Sequence, residues 1–159
     1  MKRATKTLVA VFAVVLLGVA VWAQQSSAGI AEDLTGYWTW ERANAQKSFI
    51  ESMHPVAKDV YFNETAASTA HDQSFPYAEG SAVVKETLDA STMQVVVLTA
   101  MRKVTGFDPD NGDWQYGMFE RQADGSFMGG WMDPESSAMC VSCHVGAADR
   151  DYTFLSYLH

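Results

Sequence analysis

Cys140, Cys143 and His144 form a C-x-x-C-H sequence near the end of the chain, and only residues 145–159 follow it. On one helical turn, positions i, i+3 and i+4 share a face. That spacing suits covalent attachment of haem: both thiols can add to the vinyl groups while the imidazole turns toward the iron. A disulfide between the two cysteines and a metal site are the competing readings. Zinc asks for four ligands, and one cysteine pair with His54, His71, His144 and His159 gives no zinc spacing. A histidine directly after the second cysteine is needed by a haem site and not by a disulfide. The expectation is one haem c, bonded to Cys140 and Cys143, with His144 on the iron.

The position of the motif bears on its use. An ordinary electron-transfer cytochrome c carries the motif early and takes a methionine from further along as sixth ligand. Here all 8 methionines precede Cys140. A methionine ligand then requires a different topology, and a vacant or exchangeable sixth position is the expectation.

The first residues are a short basic head and an apolar run, LVAVFAVVLLGVAVWA, that ends on small residues at Ala23. They read as a secretory signal peptide over 1–23, with an uncleaved membrane anchor as the alternative. Export agrees with the motif, because c-type haem is attached outside the cytoplasmic membrane. The expected location is periplasmic or secreted. Losing Lys2, Arg3 and Lys6 takes the net charge from −8 to −11, which repels nucleic acid and anionic lipid and would suit a basic redox partner. The remaining 136 residues suffice for one domain. Residues 24–33, small and polar, are expected to be a mobile leader, and the domain is placed at 34–159.

Within the domain, Tyr37, Trp38, Trp40, Phe49 and Ile50 with polar residues between them suggest an amphipathic helix over 37–50. Segments 56–63, 80–88 and 93–104 are rich in β-branched and aromatic residues and short enough for strands. Two more, 114–122 and 126–132, flank an Ala-Asp-Gly turn and read as a hairpin. Asn63 is placed to cap a short helix over 64–71, and Pro134 to open another that leads into the cysteines. The expected fold class is α+β, and the strand-like segments argue against a four-helix-bundle cytochrome c′.

Taken in order, VYFNETA (60–66), FPYAEGSAVVKE (75–86), MRKVTGFDPDNGDWQYGMFE (101–120), CVSCH (140–144) and DYTF (151–154) resemble the cytochrome P-460 family. That family includes hydroxylamine-oxidising cytochromes P-460 and the related β-sheet cytochromes c′. The resemblance implies an antiparallel β-sheet packed over the distal side of a single c-type haem, a few short helices, a C-terminal CxxCH and, often, a homodimer. It also implies a role for Lys85, since the lysine of the matching VKE sequence is bonded through its amine to the porphyrin in the true cytochromes P-460. The ordinary alternative is an ion pair or a solvated ammonium. Glu135, five residues before Cys140, resembles an acid that approaches the distal pocket in hydroxylamine-oxidising members, where it would take protons from the substrate. Its bland alternative is favourable charge at a helix start. Lys58 is compared with an arginine of some members. The β-sheet cytochromes c′ cap their iron with phenylalanine, for which Phe62 and Phe75 are available.

Three functions follow. One is oxidation of hydroxylamine to a nitrogen oxide, with Glu135 and Lys85 as the catalytic residues. The second is a nitric oxide-binding cytochrome that needs only His144 and an apolar pocket, for detoxification or sensing. The third is electron transfer, which requires a strong sixth ligand.

Overall fold

The computed structural model describes residues 29–44, 48–49 and 57–155. The expected signal segment 1–23 lies outside the described residues.

Six strands form one antiparallel sheet. β1 (Glu41–Arg42) lies on its edge, and β2 (Ser48–Phe49) pairs with β3 (Ala57–Lys58) in a separate two-stranded ribbon. β4 (Val60–Phe62) pairs with β1, and then β5 (Ala82–Leu88), β6 (Val95–Lys103), β7 (Trp114–Arg121) and β8 (Phe127–Trp131) follow as a meander, each beside the next. The α+β class and the strands expected from β-branched composition are present. Unbroken apolar runs such as Val83–Val84 arise because the sheet is covered on both faces.

Register decides which side chains meet. Val60, Lys85, Thr99 and Met118 form one row across β4 to β7, and Phe62, Val83, Met101 and Tyr116 form the next row on the same face. The other face carries Tyr61, Val84, Ala100, Gly117 and Trp131. Gly117 leaves room there for the Trp131 ring, which a Cβ would approach to 2.8 Å.

Against the first face lies α1 (Glu64–Asp72). Its start is fixed as the sequence implied: Asn63 Oδ1 accepts from Ala66 N at 3.0 Å. Asn63 also accepts from Ala82 N and donates to the Gly80 carbonyl, so one side chain ties the helix to β5. Ala66, Ala67 and Ala70 are buried, small enough to let α1 lie close to the strands. The second face is closed by Leu34, Tyr37, Phe119 and Phe127, with Ile30, Ala31, Trp38 and Trp131 around them. Residues ahead of Leu34 join this layer, for Asp33 accepts from Arg102 at 2.8 Å and from Trp131 Nε1 at 3.2 Å.

The amphipathic helix expected over 37–50 is not formed among the described residues of that span, 37–44 and 48–49. Tyr37–Thr39 is a single 3-10 turn behind Gly36 at φ +82°, Trp40 is extended, and Glu41–Arg42 pairs with β4. Tyr37, Trp38 and Trp40 of the expected stripe cover the second face of the sheet instead, where Tyr37 donates to the buried Glu86 at 2.6 Å; the Phe49 side chain lies outside the described residues. The helix expected from Pro134 also begins late. Residues 134–137 are a turn, held by the Asp133 carboxylate accepting from Ser136 N, and α2 spans Ala138–His144.

Candidate haem site

α2 packs through Cys140 and Val141 against the core on the first face of the sheet, and a cavity lies between this helix and the strands. About 900 Å³ of space lies between its walls out to the mouth. The walls are mostly apolar. From the sheet come Val60, Val83, Lys85, Thr99, Met101, Tyr116 and Met118; from beyond it come Met132, Ser136, Met139, Cys140, His144 and Phe154. Register explains the seven from the sheet, because they are the two rows described above less Phe62; the backbone neighbours Ala100 and Gly117 also border the space.

His144 ends α2, with its ring set edge-on between Tyr116 at 5.1 Å and Phe154 at 5.4 Å. Its Nδ1 lies 2.7 Å from the carbonyl oxygen of Tyr152. A carbonyl only accepts, so Nδ1 carries the hydrogen and Nε2 keeps its lone pair. Burial lowers the pKa of His144 from its ordinary value, and the nearby Lys85 charge adds to that, against the Tyr152 bond. The imidazole is held neutral, the form that binds a metal. Cys140 is half-buried on the cavity wall and Cys143 is exposed; neither is in a disulfide. Burial raises the Cys140 thiol, and Lys85 partly offsets it.

The structure thus brings Cys140, His144 and Lys85 to one cavity. Glu135 is exposed in the turn before α2 and is not among the lining residues, although its neighbour Ser136 is. The Lys58 side chain lies outside the described residues. Phe62 and Phe75 belong to the core around α1 and do not line the cavity. What the sequence reading missed is the number of methionines there. Met101, Met118, Met132 and Met139 all line it: the antiparallel meander folds Met101 and Met118 back over the motif, Met132 follows β8, and Met139 precedes Cys140 on α2. A period-2 count along β6 and β7, anchored on Lys85, would have found Met101 and Met118.

The residues present fit a haem. Cys140 and His144, with Nε2 available, stand on a mostly apolar wall, and the free Cys143 is exposed one helical turn from Cys140, outside the lining itself. Thr99 Oγ1 and Tyr116 Oη, both buried, have no hydrogen-bond partner, an arrangement that costs free energy unless a bound group supplies one.

Comparison with proteins of curated function finds no match. The Cytochrome P460 family model matches residues 34–155, most of the chain and nearly all of the elements described above. The chain therefore belongs to the Cytochrome P460 family and is a haem cytochrome.

Proposed function

We propose that the chain holds one haem covalently through Cys140 and Cys143, with His144 as iron ligand, and that it oxidises hydroxylamine to a nitrogen oxide. The observation that carries this reading is Lys85: it lines the same cavity as Cys140 and His144, in a row that is otherwise valine, threonine and methionine. When bound, the haem supplies an iron that withdraws electrons from the substrate. The protein residues orient the substrate and handle its protons. Thr99, directly opposite Lys85 in register, offers a hydroxyl with no partner to a group in the cavity. Glu135 stands outside the lining, so its carboxylate would receive protons at the mouth rather than in the interior. The apolar wall keeps water from competing. This reading includes export by the segment 1–23, a periplasmic location, a basic redox protein as electron acceptor and pairing of two copies.

A second reading, binding of nitric oxide without turnover, is favoured by the exposure of Glu135 and the apolar wall. Hydroxylamine oxidation with an artificial electron acceptor separates the two. The purified holoprotein is expected to turn over, Lys85→Met to lose tenfold or more of that rate, and Glu135→Gln to lose less. A red-shifted Soret band that returns to an ordinary c-haem position in Lys85→Met would mark a bond between Lys85 and the macrocycle. A wild-type protein that binds nitric oxide yet shows no turnover would overturn the enzymatic reading.

A further inference from the structure

Asp151 and Tyr152 are consecutive residues with φ of +49° and +64°. Left-handed backbone at residues bearing a Cβ persists only where the surroundings over-determine it, and such sites cluster where function needs them. Here the constraint is dense. Asp151 Oδ2 accepts from Lys103 Nζ at 2.5 Å and from Tyr77 N at 2.8 Å, and the Asp151 carbonyl accepts from Trp114 Nε1 at 2.8 Å. Tyr152 N donates to the Ala147 carbonyl at 2.9 Å, and its hydroxyl donates to that of Asp110.

The ion pair is buried: the side chains of Lys103 and Asp151 are 10% and 8% exposed. Lys103 Nζ also stands 5.0 Å from the Trp114 ring centroid, a favourable cation–π distance. Desolvation offsets much of the attraction in a buried ion pair, which often adds no more stability than apolar side chains of the same size; what this pair does add is a fixed geometry at Asp151. That conformation aims the Tyr152 carbonyl at the Nδ1 hydrogen of His144, 2.7 Å away.

We propose that Lys103 and Asp151 are positioning residues for His144. Their pair fixes the left-handed Asp151–Tyr152 turn and thereby sets how strongly the Tyr152 carbonyl holds the imidazole Nδ1–H. The proposal rests on His144 being the iron ligand. A well-aligned acceptor at Nδ1 fixes the ring orientation and raises the basicity of the ligating nitrogen, which favours ferric over ferrous iron. Lys103 acts on the iron through the turn and not by its own contact with the cavity.

The test uses the haem-loaded protein, with redox titration and resonance Raman of the ferrous state. Lys103→Met is expected to lower the iron–histidine stretching frequency and to weaken the ferric preference by up to about tenfold, about 59 mV for a one-electron couple. Lys103→Arg, which keeps the charge, should restore most of both. Gly112→Ala is a second route to the same turn. Its Cβ would stand 2.8 Å from the Tyr152 ring and 2.9 Å from Asp151 Oδ1, disturbing the turn while leaving the ion pair's charges in place. It should shift both readouts in the same direction, and it decides the matter if Lys103→Met does not fold. Unchanged frequency and potential in the folded variants would overturn the proposal. A wild-type protein without an iron–histidine band would instead refute His144 as ligand.

Discussion

His144→Ala is expected to leave the haem bonded to the protein and to abolish the chemistry. In the proposed site the thioether bonds of Cys140 and Cys143 do not depend on the imidazole, so haem should still resist extraction. The iron would lose the one ligand whose tautomer and direction the fold fixes, by the Tyr152 carbonyl at 2.7 Å and by the flanking Tyr116 and Phe154 rings. Changing only the groups that orient a metal ligand typically costs about 10–100-fold in activity or affinity. Losing the ligand itself should cost at least about 100-fold in hydroxylamine turnover by that scale. Free imidazole should recover part of the rate, because removing the side chain leaves space beside Tyr116. Steady-state assays with and without imidazole measure both effects. Turnover within a few-fold of wild type would exclude His144 as the axial ligand.

Trp114→Ala should have the largest effect on stability. Trp114 is fully buried and is the largest of the completely enclosed side chains. Truncating such a residue costs about 3–5 kcal/mol through lost burial and the cavity left behind. Here the loss also removes the shorter of two hydrogen bonds to the Asp151 carbonyl, leaving the one from Thr153 Oγ1 at 3.3 Å, and takes from Lys103 its aromatic neighbour. A cost near the upper end, about 5 kcal/mol, is expected, comparable with the whole stability of many domains. Denaturant unfolding of the holoprotein would read it directly. Trp114→Phe retains most of the volume and should lose about half as much. The damage should reach the haem environment as well, since Trp114 supports the turn that holds His144.

The parts of this fold legible in the sequence are those whose signal is local. The β-branched runs at 80–88 and 93–104, the hairpin turn at 123–125 and the Asn63 cap each depend on neighbours within a few residues, and each is found in the structure, the two strands as Ala82–Leu88 and Val95–Lys103. The segment 37–50 misled because aromatic spacing alone cannot say what the rings will face. Tyr37 and Trp38 cover strands that lie far along the chain, and the Tyr37 hydroxyl finds its partner 49 residues away, at Glu86. The site divides in the same way. Cys140, Cys143 and His144 declare themselves by spacing, and Lys85 by its place in the VKE sequence. The acceptor on His144 is a backbone carbonyl, which no residue type betrays. Lys103 and Asp151 lie 48 residues apart and meet only when the sheet is formed. The methionines of the cavity were hidden by direction: a search downstream of the motif finds none, while register brings Met101 and Met118 over it.

The central claim, that one haem is bonded to the cysteines of α2, is tested most directly by protease digestion of the denatured holoprotein followed by mass spectrometry. The expected result is a single haem-bearing peptide containing Cys140 and Cys143, heavier than its sequence mass by one haem, and linked to the Lys85 peptide if that lysine is bonded as well. Extraction of all haem by acidified organic solvent, leaving that peptide at its unmodified mass, would contradict the claim.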